Sequence, residues 1–108
     1  MARILVLGSK EDWRRELSDI LFEAGNEEIV LFSHPEEAKN FMAHYGSEVS
    51  VSIYDDTKES RELARELSPK HKVIVLGHTE ATGVPFINRA SFGRGEELIL
   101  KIQELLST

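Results

Sequence analysis

Two adjacent aspartates, Asp55 and Asp56, close the apolar run Val49 to Tyr54. Open α/β sheets place their ligands at the C-terminal ends of their strands, so a carboxylate there is the first candidate for a reactive or binding group. Asp56 has a competing structural account, because Asp56-Thr57-Lys58-Glu59 is itself a plausible cap for a following helix. Gly8-Ser9-Lys10 could form a phosphate-binding turn at the start of a helix, but neither a Gly-x-Gly-x-x-Gly nor a Walker pattern is present. His34, His44, His71 and His78 make no pair at ligand spacing, and each falls in a loop or at the end of an expected element, which points to surface or capping roles. Ser9, Ser33 and the serines of VSVSIYDD lack a Gly-x-Ser-x-Gly elbow and an evident histidine partner, so a hydrolase triad has no support.

The elements that must position these residues follow from periodicity. Ala2 to Leu7 reads as a buried strand, and Ser9 to Asp12 as a capping box opening a helix. Trp13, Leu17, Ile20, Leu21 and Ala24 form that helix's apolar row, and Gly25 stands where a left-handed C-cap belongs. The unit then repeats: a strand over Ile29 to Phe32, and a helix started by Ser33, Pro35 and Glu36 that carries Ala38, Phe41, Met42 and Tyr45. A third strand, Val49 to Tyr54, leads to a short helix with Leu63, Ala64 and Leu67 that stops before Pro69. Strand four is Val73 to Leu76, strand five surrounds Phe86 and Ile87, and the last helix buries Leu98, Ile99, Ile102, Leu105 and Leu106. Apolar strands alternating with amphipathic helices indicate a mostly parallel sheet covered on both faces. Ser50 and Ser52 interrupt that rule; they fit if their hydroxyls bond to backbone under a closely packed helix. Only His78 to Pro85 separates strands four and five, too short for an ordinary crossover helix, so the fourth helix is expected to be missing or reduced to a turn.

Composition narrows the function. With 108 residues, 41% of them hydrophobic, one core and one domain over 1–108 are expected. A formal charge of -6 disfavours nucleic acid and anionic membrane surfaces as partners. The chain has no cysteine, which excludes disulfides, thiolate metal sites and thiol nucleophiles and fits a reducing, cytoplasmic compartment. No apolar stretch approaches the length that spans a bilayer, and the strand pattern begins at once without a signal peptide.

The order of elements, together with ARILVLGSKEDWRRELSDILFEAG, VSVSIYDD, KVIVLGHTEA and GVPFINRASFGRGEELILKIQELL, resembles the receiver domain of bacterial response regulators over the whole chain. That resemblance implies a flavodoxin-like (CheY-like), doubly wound, three-layer α/β sandwich with five strands. It also implies phosphoryl transfer to an aspartate, here Asp55 with Asp56 as the alternative, aided by Mg²⁺ held by a carboxylate cluster. The motifs depart from the family at several positions. The acidic pair expected after strand one reads Gly8-Ser9, and the hydroxyl residue expected after strand four reads Gly77, with Thr79 two residues on. The lysine expected after strand five reads Arg89, followed by Ala90 instead of proline. Arg89 either contacts a phosphate or closes on Asp55 as a permanent salt bridge.

The expectation is therefore a degenerate receiver: a signalling module without enzymatic activity or cofactor that works by protein contact. Phe86, Phe92, Ile99 and Gln103, on strand five and the last helix, are expected to face a protein partner or a second copy, and an effector domain in a longer protein would fit. The alternative is a working phosphoacceptor in a phosphorelay that uses Asp55 with Mg²⁺.

Overall fold

The computed structural model describes residues 3–25, 28–77, 84–88 and 95–107. The elements run β1 (Arg3–Leu7), α1 (Glu11–Glu23), β2 (Glu28–Phe32), α2 (Pro35–Tyr45), a 3₁₀ turn (Gly46–Glu48), β3 (Val51–Tyr54), α3 (Lys58–Leu67), β4 (Val73–Gly77), β5 (Phe86–Asn88) and α4 (Glu96–Leu106). The five strands form one sheet in the order β2-β1-β3-β4-β5, and every pairing is parallel. This is the flavodoxin-like α/β fold. Among the described residues there are four α-helices; the segment expected to have lost a helix, 78–83, lies outside them.

Strand alternation divides the core into two layers. Ile4, Val6, Ile53, Ile74, Leu76 and Ile87 point to one face, where Leu17 and Leu21 of α1 and Leu98 and Ile102 of α4 cover them. Leu5, Leu7, Tyr54, Val73 and Val75 point to the other, under Ala38 and Met42 of α2 and Leu63 and Ala64 of α3. Both faces of the central strands are dry, and full burial of each aliphatic side chain contributes about 1.5–3 kcal/mol.

The serine alternation on β3 has a specific cause. Tyr54, on the same face two residues on, is fully buried and donates its phenol proton to Ser52 Oγ at 3.0 Å, while Ser52 Oγ lies 3.4 Å from the Lys72 carbonyl. Ser52 thus gives a buried phenol its partner.

Several local expectations change. The capping box at Ser9 does not form: Lys10 is the N-cap residue of α1 and makes no side-chain cap bond. Thr57, not Asp56, caps α3, its Oγ1 accepting from the Ser60 amide at 3.3 Å. Gly25 does take the left-handed conformation, at φ +95. Ala24 and Tyr45, each the final residue of its amphipathic row, are exposed, and so is Leu106.

Candidate functional site

The strand order reverses at β1: β2 lies on one side of it and β3 on the other. The C-terminal ends of β1 and β3 therefore flank the switch point of the sheet, where this architecture opens a crevice. Leu7 pairs with Tyr54, and the Asp55 amide donates to the Leu7 carbonyl at 3.0 Å, which sets Asp55 beside the turn that follows β1.

Asp55 is buried, with 7% of its surface exposed, and both oxygens of its carboxylate accept hydrogen bonds. Oδ2 accepts from the Ser9 backbone N–H at 2.9 Å and from the Ser9 hydroxyl at 3.2 Å. Oδ1 accepts from the Thr57 hydroxyl at 3.1 Å. Thr57 has one hydroxyl proton, and that bond uses it, so across the 2.9 Å contact between the Thr57 and Ser60 hydroxyls the proton must come from Ser60. The chain Ser60 to Thr57 to Asp55 ties the first turn of α3 to the aspartate, and Ser9 ties the start of α1 to it.

Ser9, Lys10, Trp13, Asp55, Asp56, Thr57, Leu76 and Gly77 enclose a cavity of about 290 Å³. Gly77 in its wall and Gly8 just before it in the β1 turn are glycines for steric reasons. A Cβ on Gly8 would overlap the Trp13 ring, which lies across that position from the first turn of α1. A Cβ on Gly77 would overlap the Asp56 side chain, packed over the end of β4. Arg14 Nη1 donates to the Gly8 carbonyl at 2.6 Å and holds the turn against the helix. Trp13 therefore fills the space in which a longer residue at position 8 would stand, and Asp56 fills the space above position 77.

The expected site residues distribute unevenly. Asp55 and Asp56 share the cavity; Arg89, Thr79 and Phe92 lie outside the described residues, as do His78 and Ala90. His34 is the N-cap residue of α2, His44 Nδ1 lies 2.9 Å from the Asn40 carbonyl one turn earlier, and His71 packs on Gly46. The proposed partner face is split by the sheet. Phe86 packs with Val84 against the layer beneath α2 and α3, whereas Ile99 packs against the opposite layer. Ile99 and Gln103 line a groove of about 500 Å³ between α1 and α4. A residue on β5 and a residue on α4 share a face only if the strand side chain points towards α4, and here it is Ile87, not Phe86, that does so.

Sequence reasoning placed Ser9 at the site, as a neutral residue where an acid was expected, but missed its bonds to Asp55; it missed Thr57 and Trp13 altogether, since Thr57 reads as a capping residue and Trp13 as core.

A receiver-type Mg²⁺ site needs a cluster of anionic oxygens. Among the described residues the cavity holds two carboxylates, Asp55 and Asp56, beside a serine that donates to Asp55, a lysine and an indole; no three of His, Asp or Glu converge, and the acidic pair expected after β1 is missing, so the receiver-type donor set is not assembled.

The sequence matches no protein-family model and no curated protein. Solved structures do match. A response regulator receiver domain protein from Clostridium thermocellum is 20% identical, with a TM-score of 0.84 over 99% of this chain and 95% of its own. The response regulator protein TrrA from Thermotoga maritima, in complex with Mg²⁺–BeF, is 26% identical, with a TM-score of 0.79 over 98% of this chain and 100% of its own. CheY6 from R. sphaeroides, in complex with the phosphorylated P1 domain of CheA3, is 13% identical, with a TM-score of 0.74 over 99% of this chain and 98% of its own. The order of the strands, the two helical layers and these neighbours agree: this chain has the CheY-like receiver fold of response regulators.

Proposed function

We propose that this chain is a signal-transduction module of the receiver type that acts by binding protein partners and is not phosphorylated by the Mg²⁺-dependent route. The observation that carries this reading is the Asp55 carboxylate, held by three donors from Ser9 and Thr57 beside a Trp13 ring that covers Gly8. Phosphoryl transfer to a carboxylate requires a free oxygen lone pair and neutralisation of the charge on the incoming group. Here the hydrogen-bond donors draw on the oxygens that would attack. The neutral Gly8-Ser9 pair supplies no charge to bind a divalent cation. The module then needs no cofactor and performs no turnover. A protein partner is the expected ligand, as for the R. sphaeroides neighbour bound to a P1 domain. The groove beside Ile99 and Gln103 is where the structure leaves apolar surface for one, with Leu100 65% exposed on the same helix. No helix among the described residues is long and apolar enough to cross a membrane.

The competing reading is a working phosphoacceptor, favoured by the position of Asp55 at the switch point and by Lys10 in the wall of the same cavity. Incubation with Mg²⁺ and a small phosphodonor, followed by intact mass measurement, separates the two. The expected result is an unchanged mass. A stoichiometric phosphoryl gain that Asp55→Asn abolishes would overturn the proposal.

A further inference from the structure

Exposed apolar side chains lie on α4, at Leu100 and Leu106, and along one border of the sheet. Of the large hydrophobic residues exposed among the described residues, Phe22, Leu31 and Tyr45 flank β2, an edge strand with no partner on its outer side. Leu31 is on the strand itself. Phe22 lies on α1 one turn beyond Ser18, which shares a groove of about 390 Å³ with Leu31. Beneath the strand Phe32, Phe41 and Tyr45 form a row with ring centroids 5.3 and 5.1 Å apart. Edge strands are ordinarily blunted by lysine, proline, a bulge or shortness. The opposite edge, β5, is only three residues long; β2 has five, reading Glu-Ile-Val-Leu-Phe, with a charge only at its first residue.

We infer that the outer edge of β2 is a homodimer interface, in which two copies pair antiparallel about a two-fold axis at Val30 and continue the sheet from one chain into the other.

The backbone is set for this. The Phe32 carbonyl accepts from the Gly8 amide, so Phe32, and with it Val30, turns its polar groups inward to β1. Ile29 and Leu31 then turn theirs outward. A two-fold at Val30 sets Ile29 of one copy opposite Leu31 of the other, and each such pair exchanges two N–H···O bonds. On the α1 side the exposed Leu31 then rests on Ile29 of the second copy; on the α2 side Val30 meets Val30. Charge also matches. Glu11, Arg14, Arg15 and Asp19 around the groove sum to zero, and Glu28 at the start of β2 is paired with Arg3 of its own chain at 3.1 Å, so charges of both signs line this edge. This inference is independent of whether Asp55 ever accepts a phosphoryl group.

The natural absence of cysteine makes the test direct. On an antiparallel two-fold the Val30 Cα atoms would be about 4.5 Å apart, within disulfide range. Val30→Cys is therefore expected to form a covalent dimer under mild oxidation, while Gln103→Cys on α4 remains monomeric. In sedimentation the unmodified chain is expected to be a dimer and Leu31→Lys a monomer with an unchanged circular dichroism spectrum; Leu31 is 43% exposed, so the lysine costs the fold little. A chain that stays monomeric at millimolar concentration would overturn the inference. So would a dimer that survives Leu31→Lys, or one that cross-links through Gln103→Cys and not through Val30→Cys.

Discussion

Ser9 gives both its backbone N–H and its hydroxyl to the same oxygen, Oδ2, of Asp55, at 2.9 and 3.2 Å. The two residues are 46 positions apart, joined because β1 and β3 are neighbours and end at the same level. Asp55, the phosphoacceptor candidate, thereby clasps the turn after β1 to the turn after β3. Where an acid at position 9 would repel Asp55 unless a cation lay between them, a serine binds it directly.

The clasp should contribute measurably to stability. Asp55→Asn replaces one accepting oxygen by an NH₂ group that must face a donor, either Ser9 or Thr57, in a buried site. A loss of about 1–3 kcal/mol is expected, read from the urea midpoint. Ser9→Ala removes only the hydroxyl and keeps the backbone N–H, so about 0.5–1.5 kcal/mol is expected. An Asp55→Asn variant as stable as the parent would contradict the assigned hydrogen bonds.

Trp13 and Gly8 should be energetically coupled. Gly8→Ala drives a methyl group into the indole and is expected to cost about 1–3 kcal/mol by overpacking. In a Trp13→Ala background the space is open, and the same substitution should cost far less. A double-mutant cycle is expected to return a coupling energy of about 0.5–3 kcal/mol. Additive effects would mean that the ring does not cover the turn.

Tyr54 should govern alkaline stability. Burial pushes its phenol up to about 12, from an ordinary 10.0, against the opposing pull of its bond to Ser52. In the folded chain the phenol keeps its proton to about pH 12, whereas unfolded chains begin to lose it near 10. The stabilisation is therefore complete below pH 10 and disappears as the pH rises from 10 to 12, an effect of about 2–3 kcal/mol. Tyr54→Phe is expected to be less stable by about 1 kcal/mol at neutral pH, having lost one hydrogen bond, and to decline less steeply above pH 10. Parallel stability–pH curves for the two chains would refute this.

Much of the architecture was legible in residue order. Leu17 and Leu21, Ala38 and Met42, and Leu98 and Ile102 announced the buried sides of three helices, and each pair is buried. The left-handed glycine after α1 was legible for the same local reason. Caps were less so: Ser9 and Asp56 both carried capping patterns, yet the side chains went elsewhere, Ser9 to Asp55 and Asp56 over Gly77. A cap is a weak local preference, and a buried carboxylate nearby outcompetes it.

The chain by itself determined the alternation of strands and helices, the absence of thiol chemistry and the position of Asp55 at a strand end, because periodicity and residue type are local properties. Only the tertiary structure decided that Ser9 and Thr57 occupy the Asp55 oxygens, that Trp13 excludes any side chain at position 8, and that Phe86 and Ile99 lie on opposite faces of the sheet. Those relations depend on which strands become neighbours and on which way each alternating side chain turns, and a sheet settles both only when all its strands are in place.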